Sequence, residues 1–133
     1  MNLLLDTDTV IEILRGNPKA LHRLGSVSAG IDVCASAITA AELYHGAARS
    51  ANPATSTQQV ALLLSGLQVI PVDQPIAAEF GALKASLQAA GQVIADFDLL
   101  IAAAALLHRL QLITHNTRHF HRIPNPALDD WLA

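Results

Sequence analysis

The stretch Leu3-Leu4-Leu5-Asp6-Thr7-Asp8-Thr9-Val10-Ile11-Glu12 reads as a buried strand that ends at an acid and turns at once into a helix. Three consecutive leucines form a short continuous apolar run, the pattern of a strand covered on both faces. Asp and Thr suit helix starts, and Val10 to Leu14 supply the first apolar turns before Gly16 stops them. Asn17-Pro18 restarts a helix, with Asn as cap and Pro at the first helical position. The alternation then repeats. Ile31 to Ser36 reads as a strand, Thr39 to Ala48 as a helix, Pro53 to Ser65 as a helix closed by Gly66, and Leu67 to Val72 as a third strand. Asp73 and Pro75 open a long helix that closes at Gly91. Phe97 to His108 is almost wholly apolar round its circumference, as in a helix buried on most sides. Leu110 to Thr114 is a fourth strand, and an edge strand is expected near Leu128. Strands alternating with helices predict an α/β fold of three layers, a mostly parallel sheet of four or five strands with helices on both faces. Ligands in such sheets bind beyond the carboxyl ends of the strands, at a topological switch point.

The length of 133 residues is about one domain's worth and buries roughly two thirds of the unfolded surface. One cysteine, Cys34, excludes an intrachain disulfide and a cysteine-based zinc site. With 52% hydrophobic and 14% charged residues the chain is not disordered. Its longest apolar run, Leu99 to Leu107, is too short to span a bilayer. The acid at position 6 and the lack of a basic start argue against a signal peptide. A soluble, cytoplasmic protein is expected. A net charge of −3 disfavours a large nucleic-acid surface. The segment 108–122, however, holds His108, Arg109, His115, Arg118, His119, His121 and Arg122 with no acid, which suits a small footprint or a solvated edge.

Only 11 acids are present, so their places are informative. Asp6 and Asp8 follow the first strand, Glu42 lies in the first turn after the second, and Asp96 and Asp98 open the buried helix. Asn116 follows the fourth strand. A parallel sheet would bring these groups to one edge. Each also has a structural reading. Thr39-Ala40-Ala41-Glu42 matches a capping box, Asp8 suits the cap of the first helix, and Asp96 or Asp98 suits the cap of the buried one. Asp6 has no capping duty if Thr7 and Asp8 are at hand, which favours a functional role. Two carboxylates about 4 Å apart repel by roughly 4 kcal/mol at an effective dielectric of 20, so a cluster needs protons or a cation. Oxygen ligands without thiolate or a histidine pair point to Mg²⁺ or Mn²⁺. His45, three residues after Glu42, reads as a helix-surface or interface residue.

The motifs then resemble a known family. Leu3 to Glu12 is similar to the opening of PIN-domain ribonucleases of the VapC toxin type. Ser36-Ala37-Ile38-Thr39-Ala40-Ala41-Glu42-Leu43 with Gly46 resembles their second motif, Ile94 to Ala105 their third, and Leu112 to Phe120 their fourth, with Trp131 in the closing segment. The order is that of the family, and the motifs span almost the whole chain, implying a single PIN-like domain over 1–133. The resemblance implies a Mg²⁺-dependent endoribonuclease, with Mn²⁺ as a substitute, acting as the toxin of a toxin–antitoxin pair. It implies Asp6, Glu42 and Asp98 as an acidic triad. Asp6 and Asp98 would bind metal directly, and Glu42 would bind it through a water or orient the attacking water. Asn116 falls where the family has a fourth polar ligand, often Asp, and leaves the site one charge poorer. Asp96 is an extra acid that would restore that charge or cap the helix. Asp8 stands where a small polar residue is usual. Thr114 would be a supporting hydroxyl, and Arg118 would offset charge on the phosphate. Attack of water on a backbone phosphorus would leave 5′-phosphate and 3′-hydroxyl ends. Loops of structured RNAs such as tRNA are the implied substrates, with a homodimer and a cognate antitoxin as partners. The antitoxin's C-terminal segment would lie across the acidic crevice and place an Arg there.

Two other readings compete. Asp6-Thr7-Asp8-Thr9-Val10 also fits the opening of a phosphatase of the haloacid-dehalogenase type, with Asp6 as nucleophile and Asp8 as acid. Against it, the only lysine late enough, Lys84, sits mid-helix, and there is no room for a cap domain. The third reading is a non-catalytic α/β domain that binds a partner, its acids serving as helix caps.

Overall fold

The computed structural model describes residues 1–124 and 126–133. Strands β1 (Leu3–Leu5), β2 (Val33–Ser36), β3 (Gln68–Ile70), β4 (Gln111–Ile113) and β5 (Leu128–Asp129) form one sheet in the order β3-β2-β1-β4-β5. Every strand pair is parallel. The chain goes to one side of β1 for β2 and β3 and to the other for β4 and β5, so the switch point lies between β1 and β4.

The strand pleat divides the core. Leu4, Cys34 and Leu112 face α5 (Gln74–Ala89) and α6 (Asp96–Leu107). Leu3, Leu5, Ala35 and Ile113 face the other way, onto α1 (Thr7–Leu14), α2 (Pro18–Gly25), α3 (Ala37–Ala48) and α4 (Pro53–Ser65), with Trp131 closing that side. The four alanines of α6, Ala102 to Ala105, are all buried, and small side chains let this helix sit between α5 and the sheet. The three-layer α/β fold expected from the sequence is therefore the one observed, with five strands.

Several boundaries differ. The strands are shorter than the apolar runs that mark them, because pairing with the neighbouring strand spans only part of each run: β2 begins at Val33, opposite Leu3, not at Ile31. α1 begins three residues earlier than Val10, directly after Asp6. α3 begins at Ala37, with Ser36 Oγ accepting from Ile38 N–H. The capping box proposed at Thr39 is thus not formed, since Thr39 lies inside the helix. A four-residue helix, α7 (Thr117–Phe120), was not anticipated. The segment 108–122 does not make one basic face. β4 crosses it from end to end, leaving His108 and Arg109 at one edge of the sheet and the rest at the other. Among the described residues, no helix is long and apolar enough to cross a membrane.

Candidate active site

Asp6 leaves β1 where the ladder ends. Its N–H still donates to Ile113 O (2.8 Å), and its side chain turns back as the cap of α1, accepting from Thr7 N–H at 2.8 Å. The cap is therefore Asp6 itself and not Asp8, which corrects the expectation that Asp6 is free of capping duty. Capping occupies only Oδ1. Oδ2 accepts from the Thr114 hydroxyl at 2.7 Å, so the end of β4 fixes the second oxygen. Asp6 is buried, and its carboxyl is pushed up to about 7 from 3.8. Burial is the first cause and the charge of Asp8 the second, with Asp98 adding a smaller push. The hydrogen bonds from Thr114 and Thr7 pull the other way and do not win.

Asp8 holds backbone instead. Its Oδ1 accepts from Thr9 N–H (2.6 Å) and its Oδ2 from His115 N–H (3.1 Å), tying the loop after β4 to α1. Glu42 reaches the same edge from α3. Its Oε1 accepts from the Thr7 hydroxyl at 2.8 Å, and Thr7 Oγ1 lies 2.9 Å from Thr39 Oγ1. A hydroxyl has one proton, so with Thr7 donating to Glu42 the Thr39 hydroxyl donates to Thr7. Thr7 thus carries Asp6 on its amide and Glu42 on its hydroxyl.

Asp98 lies in the first turn of α6. Neither it nor Asp96 caps that helix, whose cap residue is Ala95 without a side-chain bond. Asp98 Oδ2 is 3.2 Å from His119 Nε2 on α7. Asp96 is exposed and pairs with Lys84 at 2.9 Å, away from the other acids' partners. Asn116 precedes α7 with its side chain exposed and making no cap bond, while its N–H donates to Thr114 Oγ1. Arg118 is exposed on α7.

A cavity of about 630 Å³ opens beside Glu42, lined by Thr7, Ile11, His45, Gly46, Arg49 and Phe97 among others. Phe97 is 51% exposed, an aromatic face offered to solvent next to a carboxylate. His45 is exposed on α3, as its reading as a helix-surface residue expected, whereas Arg49 was not singled out from sequence. The signal was there: Glu42, His45, Gly46 and Arg49 are spaced to share one face of α3. His119 had no such signal, because β4 and two turns separate it from Asp98 in the chain.

The sheet edge thus gathers Asp6, Asp8, Thr114 and, through Thr7, Glu42, while Asp98 acts on Asp6 through its charge. Among the described residues no three His, Cys, Asp or Glu side chains stand together so as to hold a metal ion as they are. The donor chemistry still fits a hard divalent cation. The oxygens are carboxylate, burial and then the charge of Asp8 disfavour the Asp6 anion, and His119 Nε2 is buried without a hydrogen-bond partner among the described residues. The phosphatase reading fits poorly. Asp8, its required acid, is spent on backbone amides, and Lys84 is paired with Asp96.

The PIN domain family model matches residues 3–126. The chain is 33% identical over 132 residues to Ribonuclease VapC2 of Haemophilus influenzae, covering 99% of each. It is 30% identical over 131 residues to the tRNA(fMet)-specific endonuclease VapC of Salmonella typhimurium, covering 98% of each. Its structure superposes on that of VapBC-1 from nontypeable Haemophilus influenzae with a TM-score of 0.91 at 31% identity, covering 100% of both chains. The acid-lined edge between β1 and β4 is therefore that of a known lineage: the chain belongs to the PIN-domain family, among the VapC-type ribonuclease toxins.

Proposed function

We propose that this chain is a Mg²⁺-dependent endoribonuclease that hydrolyses phosphodiester bonds in structured RNA, with tRNA the leading candidate, as the toxin of a toxin–antitoxin pair. The observation that carries this reading is the buried Asp6 carboxyl, fixed by Thr7 and Thr114 at the switch point of the sheet and facing the charges of Asp8 and Asp98. Asp6 and Asp98 would hold the cation, which, when bound, offsets carboxylate charge and supplies Lewis acidity at a phosphate oxygen. Thr114 fixes Asp6 Oδ2, and Thr7 fixes Glu42 so that its free oxygen can orient a water and accept its proton. The water oxygen forms the new P–O bond as the bond to the 3′ oxygen breaks, and the proton taken up by Glu42 is balanced by one that the leaving 3′ oxygen takes from solvent. The ends are a 5′-phosphate and a 3′-hydroxyl.

The cavity supports an RNA substrate. Arg49 and His45 offer donors to phosphates, and Phe97 offers a face on which an unstacked base can lie. A second cavity, of about 360 Å³, shares Ile11, Glu42 and Gly46 with the first and continues along Leu14, Leu43 and Val60. We assign this continuous path, acidic at one end and apolar at the other, to the antitoxin. An antitoxin Arg placed at the acids would oppose the cation by charge alone. A homodimer is part of the same proposal.

The test is purified protein on total RNA with and without Mg²⁺, beside Asp98→Asn, with cut ends mapped. Metal-dependent cuts with 5′-phosphate ends that vanish in the variant are expected. Equal cutting by Asp98→Asn would overturn the assignment.

A further inference from the structure

His119 brings an imidazole to within reach of Asp98 at the acidic edge, and the contact is close but misdirected. Nε2 stands 3.2 Å from Asp98 Oδ2, within hydrogen-bonding distance, yet this buried nitrogen makes no hydrogen bond among the described residues. The carboxylate oxygen therefore lies off the axis along which the ring nitrogen donates or accepts. The ring is held there by its edge-to-face contact with Phe120, at 5.4 Å between centroids and 87° between planes, and Phe120 is itself buried. An orphaned buried nitrogen is costly, and such groups call for an explanation. Two atoms that share one cation have this relation. At about 2.1 Å from the metal on neighbouring octahedral vertices they stand about 3 Å apart, each aimed at the ion and not at the other.

We propose that His119 Nε2 is a cation ligand beside Asp98 Oδ2, and that this nitrogen–oxygen pair moves the site's preference from Mg²⁺ toward Mn²⁺ and other first-row divalent ions. The proposal rests on the metal-dependent reading above and specifies its ligand set. Carboxylates alone suit Mg²⁺, whereas an imidazole nitrogen binds a first-row ion far better than it binds Mg²⁺. An imidazole nitrogen that binds the ion in its neutral form adds a ligand without adding repulsion among the carboxylates.

The experiment uses the full chain without RNA. Mn²⁺ is added to wild type and to His119→Gln, pulsed electron paramagnetic resonance reads nitrogen coupling at the ion, and titration calorimetry gives Mn²⁺ and Mg²⁺ affinities. Wild type should show ¹⁴N coupling that His119→Gln lacks. The variant should bind Mn²⁺ about tenfold or more weakly while Mg²⁺ affinity changes by less than about threefold. If His119→Gln does not fold, wild type labelled with ¹⁵N-histidine decides, since the coupling must change with the isotope. Bound Mn²⁺ that is lost in Asp98→Asn but shows no nitrogen coupling in wild type would overturn the role of His119 and leave the acidic site standing. Failure of wild type to bind either ion would remove the metal-dependent reading and this proposal with it.

Discussion

Thr7 serves two carboxylates with two atoms, and its small size hides that from the sequence. Its amide caps on Asp6 and its hydroxyl donates to Glu42, with Thr39 donating in turn to Thr7. Thr7→Val keeps the shape and the amide but frees Glu42 and leaves the buried Thr39 hydroxyl without its acceptor. Stability should fall by about 1 kcal/mol. RNA cleavage should slow by about 10- to 100-fold in kcat with KM little changed, as for other groups that orient a ligand; Thr7→Ser should restore most of it. Single-turnover cleavage of one labelled RNA measures this, and full activity in Thr7→Val would refute it. Asp6 carries the pH dependence. Its folded carboxyl titrates near 7 and its unfolded one near 3.8, because burial and then Asp8 disfavour the anion. The folded state therefore binds the proton more tightly, and metal-free stability falls as pH rises through that window. The full difference is on the order of 4 kcal/mol. Asp6→Asn should lose that share of the pH dependence and unfold at higher urea than wild type above pH 7, while losing cleavage. Parallel urea midpoints for the two proteins from pH 4.5 to 8 would contradict the assignment.

At the level of elements, what the sequence disclosed followed from local chemistry. Asn17-Pro18 and Asp73 with Pro75 began helices as expected, with Asn17 and Asp73 accepting from the first-turn amides. Pro53 and Gly66 bounded α4 as expected. The first helix was harder, because Asp6, Thr7 and Asp8 are all good caps. The choice is made by where β1 stops pairing with β4, a distant partner. α7 is too short to show a period. Helix ends also hold one local anomaly. α6 closes with Leu110 N–H on Ala105 O and Arg109 N–H on Leu106 O, which puts Arg109 at φ 55. α5 closes in the same way with Gly91 at φ 71. A side chain in this left-handed region is disfavoured by about 1–2 kcal/mol. Arg109→Gly should therefore raise the unfolding free energy by about 0.5–1 kcal/mol after the entropy of the unfolded glycine is set against it, read as a higher urea midpoint, and Gly91→Ala should lower that midpoint. No gain from Arg109→Gly would mean that the arginine side chain makes a compensating contact.

At the level of the whole molecule, the site exists because a sheet ordered β3-β2-β1-β4-β5 splits at β1. The acids themselves were legible, as strand ends and helix starts in a parallel fold. Their partners were not: Thr114 lies 108 residues from Asp6 and Thr7 lies 35 from Glu42, and no local pattern pairs them. The same topology lays the face of α3 that carries Glu42, His45 and Arg49 against Phe97 at the start of α6, and so makes the cavity. If that cavity takes the nucleotide beside the cut, its two kinds of contact should separate in binding. Without divalent ions, and so without cleavage, Phe97→Ala should weaken RNA binding by about 1–3 kcal/mol at every salt concentration, the worth of one stacked base. Arg49→Ala should also weaken it, but with a shallower salt dependence, by about 0.7 in the slope of log affinity against log salt for one lost phosphate contact on a single strand. Fluorescence anisotropy of a labelled RNA across a salt series reads both. An unchanged slope in Arg49→Ala together with unchanged affinity in Phe97→Ala would place the RNA elsewhere on the sheet edge, and Arg118 on α7 would then be the cation to test.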